Sequence, residues 1–170
     1  NVTKKRLESG ELAVGVGVRQ ARTVDIGKAM KTAGFDWLFI DMEHNSMDLD
    51  VATQIAQKLI ERDKVSIITG FTFSNVLMAV HKPITEKQVF LIGSNAGPAP
   101  IAGAQCSPYQ FIVSWQNDTQ AEVVGQHAAN KGYKRMVGMA PNYQAGKDFI
   151  AGFKRFYKGE IVDEIYTPLN

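Results

Sequence analysis

Val65-Ser66-Ile67-Ile68-Thr69, closed by Gly70, leads into a helical stretch from about Asn75 to Val80 and then into Val89-Phe90-Leu91-Ile92. Apolar run, helix, apolar run is the order of a βα unit on a parallel sheet. Working outward, the same alternation repeats. Upstream, Leu12 to Val18 reads as a first strand and Thr23 to Thr32 as a helix, with Thr23 as N-cap and Gly34 as its stop. Trp37-Leu38-Phe39-Ile40 is a continuous apolar run, as expected of a strand covered on both faces. Asp48 or Asp50 then caps a helix whose Val51, Ile55, Leu59 and Ile60 form one apolar stripe.

Downstream, Pro83 should stop or kink the helix that begins near Asn75. A connection rich in Gly, Pro and Ala runs from Gly93 to Pro108, and loops of that length usually serve a purpose. Gln110 to Ser114 is a fifth strand. Helix (Ala121 to Lys131), strand (Met136 to Met139), helix (Lys147 to Tyr157) and strand (Ile161 to Tyr166) complete the chain. The expected fold is therefore α/β, with a mainly parallel sheet and helices on both faces. The first five strands should follow a flavodoxin-like order 2-1-3-4-5, with an appended αβαβ unit. Residues 1–116 form one domain on this reading, and 117–170 a second, partial one.

Composition narrows the function. A hydrophobic fraction of 45% with 21% charged residues is that of an ordinary globular chain. The net charge of +2 is too small, and its bases too scattered, to imply nucleic acid. Lys4-Lys5-Arg6 reads as a solvated face. The single cysteine, Cys106, excludes an internal disulfide and any multi-cysteine metal site. No run approaches the roughly 20 apolar residues of a membrane span, and the N-terminus shows no signal-peptide h-region. Gly15-Val16-Gly17 is not a dinucleotide fingerprint, because the third glycine would fall on Gln20. His81 and His127 lie on expected helices without metal-ligand spacing, which suggests surface or helix-end positions.

Two family resemblances stand out. Ala33-Gly34-Phe35-Asp36-Trp37-Leu38-Phe39-Ile40-Asp41-Met42-Glu43-His44 resembles the class II aldolases of the HpcH/HpaI type, which are TIM barrels. From about Gln57 the chain resembles the periplasmic solute-binding proteins of branched-chain amino-acid ABC transporters. The runs are Phe73-Ser74-Asn75-Val76, Ser94-Asn95-Ala96-Gly97-Pro98, Ser114-Trp115-Gln116-Asn117-Asp118 and Pro141-Asn142-Tyr143-Gln144-Ala145-Gly146-Lys147-Asp148. Both folds place a right-handed βαβ crossover around residues 51 to 63. The reading is an engineered chimera, in which an aldolase segment supplies the first strands to a binding-protein lobe.

The aldolase resemblance implies that His44 acts as general base through a water, a role suited to imidazole. Glu43 is a metal-ligand candidate. The family's arginine is missing after Thr69-Gly70-Phe71-Thr72, and one carboxylate cannot hold a cation alone. A barrel of roughly 250 residues also exceeds the 170 available. Both residues are therefore expected to be vestigial, with no cofactor and no catalysis. The alternative is a residual metal-dependent lyase using His44.

The binding-protein resemblance implies that Ser74 and Asn75, at a helix start, meet a ligand carboxylate, which partial positive charge there favours. Ser94, Asn95, Ala96 and Gly97 form a second, small-residue turn that lets backbone approach the ligand. Tyr143 matches the aromatic that closes from the second lobe. The alternative is that these turns merely end strands. Since receptors of this type close two lobes on a hinge, a chain reaching Pro168 after two second-lobe strands is expected to bind small carboxylates or amino acids weakly. The parent family is periplasmic; with no leader visible, localisation stays open. The apolar, two-stranded unit should form a homodimer, direct or swapped, or else join the main sheet.

Overall fold

The computed structural model describes residues 2–18, 25–40 and 49–168. Its elements are α1 (Val2–Glu8), β1 (Gly15–Val18), α2 (Ile26–Thr32), β2 (Trp37–Ile40), α3 (Leu49–Glu61), β3 (Ile67–Gly70) and α4 (Ser74–Thr85). Then follow β4 (Phe90–Gly93), α5 (Ala99–Ala102), β5 (Gln110–Ile112), α6 (Asn117–Asn130), β6 (Arg135–Pro141), α7 (Gln144–Phe156) and β7 (Glu160–Thr167). Every strand pairing is parallel. The chain is an α/β protein of βα units, and its described residues form no closed barrel.

Strand neighbours follow the expected order locally: β2 beside β1, and β4 between β3 and β5. Among the described residues no ladder joins β1 to β3, so the sheet divides there. β6 and β7 form a ladder of their own. Among the described residues, those after 118 do not enter the main sheet.

The core centres on α4. Leu77, Val80 and Ile84, at i, i+3 and i+7, are fully buried against Leu91 of β4. α3 approaches α4 through Ala52 and Ala56, small residues that permit close helix contact, with Leu59 and Ile60 packed alongside. The helix ends at Thr85, two residues beyond Pro83. Proline removes one N–H donor but its fixed φ is helical. Burial of Ile84 and Thr85, with the Thr85 hydroxyl donating to His81 O at 2.9 Å, holds the last turn.

Two further expectations change. α2 is N-capped at Asp25, with Gly34 (φ +92°) just beyond its C-cap as expected; Thr23 lies outside the described residues. His81 is not at the surface. It is 3% exposed, its Nε2 2.9 Å from Gln105 O and its Nδ1 3.3 Å from Gln110 Oε1. This histidine ties α4 to the segment entering β5, whereas His127 is exposed on α6. No helix of the described residues is long and apolar enough to cross a membrane.

α6 and α7 pack through small residues, Ala121, Gly125 and Ala128 on one, Ala145 and Gly152 on the other. Asp118, 1% exposed, pairs across this joint with Arg155 Nη1 at 2.7 Å. Glu122 first, and then Asp118, raise the Arg155 pKa above its ordinary value.

Candidate ligand site at the start of helix α4

β3 ends in two consecutive residues at positive φ, Gly70 (+126°) and Phe71 (+72°). The second is unusual for a bulky side chain and marks a turn held by its surroundings. The holding bonds come from the turn after β4. Ser94 N donates to Gly70 O at 3.0 Å, Ala96 N to Phe71 O at 3.2 Å, and Asn95 Nδ2 to Thr72 O at 3.3 Å. The Ser114 hydroxyl donates to Asn95 O at 2.8 Å, and Asn117 N to Gly97 O at 2.8 Å. Gly97 is obligatory here: a Cβ would lie 1.8 Å from Trp115 O. The strand ends after β3, β4 and β5 are thus knitted into one edge, where α/β proteins place their ligands.

At this edge α4 begins. Its N-cap residue, Phe73, is extended (φ −96°, ψ 136°) and makes no side-chain cap bond. The first-turn N–H groups of α4 therefore lack an intrahelical acceptor and a capping oxygen. Against Phe73 stands Tyr143, the N-cap of α7, edge to face at 5.8 Å between centroids and 78° between planes.

The seven expected ligand residues are placed as follows. Ser74 is 2% exposed, and its Oγ accepts from Asn117 Nδ2 at 2.9 Å. Asn75 is half-buried, and its Oδ1 is buried without a hydrogen-bond partner. Ser94 is exposed and Asn95 half-buried, while Ala96 and Gly97 are buried beneath the turn. Tyr143 is half-buried at the Phe73 contact. The structure brings Ser74, Asn75 and Tyr143 together around Phe73, and Ser94 to Gly97 along the same edge.

Three residues here went unassigned in the sequence: Phe73, Asn117 and Asp148. Asn117 Nδ2 also donates to Asp148 Oδ2 at 3.1 Å, and that oxygen accepts from Ala99 N at 3.0 Å. Gln144 Nε2 donates to Asp148 Oδ1 at 2.8 Å. All three lie within the runs that carry the binding-protein resemblance, which was the available signal. A cavity of about 210 Å³ opens beside this edge, lined by Gly97, Pro98, Ile112, Ser114 and Trp115 among others. A larger one, about 380 Å³, lies at the far end of α3 and α4, where Glu61, Glu86, Lys82 and Lys87 balance in charge. Eight residues of helix separate Lys82 from Ser74, about 12 Å, so it is no part of this edge.

The aldolase candidates Glu43 and His44 lie outside the described residues, directly after β2. Among the described residues, no three His, Cys, Asp or Glu side chains come close enough to hold a metal ion.

Residues 16–170 match the periplasmic binding protein family. The chain belongs to that family. The match begins well ahead of residue 57, so the segment before the expected join also carries binding-protein character. The Leu/Ile/Val-binding protein homolog 6 of Brucella abortus is 30% identical over 121 residues, 68% of this chain and 30% of the relative. A solute-binding protein from Rhodopseudomonas palustris BisB5, solved with 3,4-dihydroxybenzoic acid, is 27% identical with a TM-score of 0.67; the match covers 91% of this chain and 47% of that one. Another from R. palustris, solved with benzoate, is 25% identical with a TM-score of 0.69, covering 93% and 49%. The chain thus spans under a third of that curated relative and about half of each structure. A 4-hydroxy-4-methyl-2-oxoglutarate aldolase from Hapsidospora irregularis is 39% identical over 56 residues, 33% of this chain and 21% of the aldolase.

Proposed function

We propose that this chain is a solute-binding lobe with part of a second, taking a small aromatic carboxylate at the edge where α4 begins, without catalysis. The observation that carries the reading is the Phe73–Tyr143 pair beside the uncapped N-terminus of α4. Its parts match the two ends of such a ligand. A carboxylate suits first-turn N–H groups and the positive end of the helix dipole, and a planar ring suits two edge-to-face aromatics from different lobes. Ser74 accepts a bond from Asn117, and a hydroxyl that accepts can still donate. Asn75 Oδ1, buried and unpaired, suits a hydroxyl donor on the ligand ring. The benzoate ligands of the R. palustris proteins agree with this chemistry.

Calorimetry with benzoate, 4-hydroxybenzoate, leucine and benzyl alcohol tests the reading. Benzoates should bind with dissociation constants near millimolar, and benzyl alcohol should not. Equal binding of benzyl alcohol would remove the carboxylate argument, and no heat from any of them the whole proposal.

Two subsidiary readings belong with it. The partial aldolase match, over 56 residues, supports an aldolase-like segment and with it the chimeric reading; a lyase through His44 would show as pyruvate enolisation with Mg²⁺ or Mn²⁺ that His44→Ala abolishes. The β6–β7 pair leaves Val137, Met139, Val162 and Ile165 at least 40% exposed, which supports a homodimer through this unit. Light scattering at the mass of one chain would contradict it.

A further inference from the structure

Asp148 is a carboxylate only 5% exposed, on the helix whose N-cap is Tyr143, and no cation pairs with it among the interactions of the described residues. A buried charge without a counter-ion is costly unless hydrogen bonds satisfy it. Here three N–H groups do so: Ala99 N and Asn117 Nδ2 at one oxygen, Gln144 Nε2 at the other. Two of these donors lie outside α7, and they lead to both halves of the candidate cleft. Ala99 lies two residues after the Ser94–Gly97 turn. Asn117 passes one hydrogen to Asp148 and the other to Ser74 at the start of α4, while its backbone N–H binds Gly97 O.

We propose that Asp148 is a positioning residue for the ligand site: it docks α7 onto the two ligand turns and so sets the Tyr143 ring against Phe73. The inference rests on the ligand reading above for its consequence in binding, but not for the ring contact itself. Asp148 touches no ligand in this account. The α7 start lies close against the end of β6, since at Gly146 a Cβ would meet Pro141 O at 2.0 Å. Docking at residue 148 therefore fixes the ring at residue 143.

The test uses the whole chain with benzoate as probe. Asp148→Asn keeps the shape and one acceptor; its Oδ1 accepts from Ala99 and Asn117, and the Gln144 amide turns its oxygen to the new NH₂ group. It should bind within about threefold of the parent. Asp148→Ala should weaken binding about tenfold, and in a Tyr143→Ala background its effect should fall to about twofold, because both act through one ring. If Asp148→Ala does not fold, Asn117→Ser, which keeps the backbone bond to Gly97, is measured the same way. Independent of ligand, the nuclear Overhauser effect between the Phe73 and Tyr143 rings should survive in Asp148→Asn and vanish in Asp148→Ala or Asn117→Ser. An unchanged ring contact, or equal losses in both Tyr143 backgrounds, would overturn the inference even with the ligand reading intact. Ring contacts that respond as expected in a chain that binds no benzoate would instead sink the ligand reading and leave the positioning role standing.

Discussion

Gly125 of α6 faces the backbone of α7, and replacing it with alanine sets two effects against each other. In a helix interior, alanine is favoured over glycine by about 1 kcal/mol. At this site, however, the new Cβ would lie 2.2 Å from Phe153 O, 3.1 Å from its carbonyl carbon and 3.3 Å from its Cα. Ordinary contact begins at 3.4 Å, and all three atoms belong to the backbone, so no side chain can rotate away. The helices must part by about 1 Å, loosening Ala121 and Ala128 and the Asp118–Arg155 pair. Overpacking of this kind costs about 1–3 kcal/mol. With three backbone atoms involved the upper end applies, leaving a net loss of about 2 kcal/mol after the propensity gain. For a chain this size that lowers Tm by about 4–8 °C. Gly27→Ala is the control: in α2 its Cβ would find only Leu38 Cδ1 at 3.8 Å, so the propensity gain stands alone and Tm should rise by about 2–4 °C. Differential scanning calorimetry reads both. A Gly125→Ala chain as stable as the parent would refute close backbone contact between α6 and α7.

Other expectations follow from the same geometry. Arg155→Ala leaves Asp118 buried without its cation, which should destabilise the fold, read as a lower urea midpoint at unchanged slope, and no change would mean that solvent already compensates Asp118. The Lys154 ammonium, and after it the Tyr166 hydroxyl, hold the Glu164 carboxyl below the ordinary 4.5 of a glutamate. That depression stabilises the fold above the ordinary value and is lost as pH falls through the depressed one. In Lys154→Met, carboxyl NMR should show Glu164 titrating closer to 4.5; an unmoved titration would remove Lys154 as the cause. Tyr143→Ala should weaken benzoate binding about 2–10-fold by removing one aromatic contact, whereas Tyr143→Phe should bind nearly as the parent, and equal losses in the two would argue that the hydroxyl, not the ring, matters.

The strands were legible as apolar runs: Trp37–Ile40 coincides with β2, and β3 and β4 are shifted by only one or two residues, although the expected cover on both faces fails where Trp37, Ile67 and Phe90 are at least 40% exposed. Helix starts were less so. α6 begins at Asn117 and α7 at Gln144, three or four residues earlier than periodicity suggested, because their N-caps, Gln116 and Tyr143, carry no side-chain cap bond. His81 was misjudged because α4 is so deeply buried that packing encloses a polar ring. Family likeness pointed to turns that the fold brings to one edge, but not to their burial. Ser74 meets Asn117 from 43 residues away and Asn117 meets Asp148 across 31, and no local pattern foretells such pairings. The sheet order was legible within each group of neighbours, not across the division between β1 and β3.

The most direct test of the account is a ¹H–¹⁵N chemical-shift titration of the whole chain with benzoate. Saturable shifts should concentrate at the amides of Ser74, Asn75 and Val76, with smaller ones from Ser94 to Gly97 and at Tyr143. Shifts gathered instead around Glu61, Lys82 and Lys87, or none at millimolar benzoate, would contradict the claim that this chain receives a carboxylate where α4 begins.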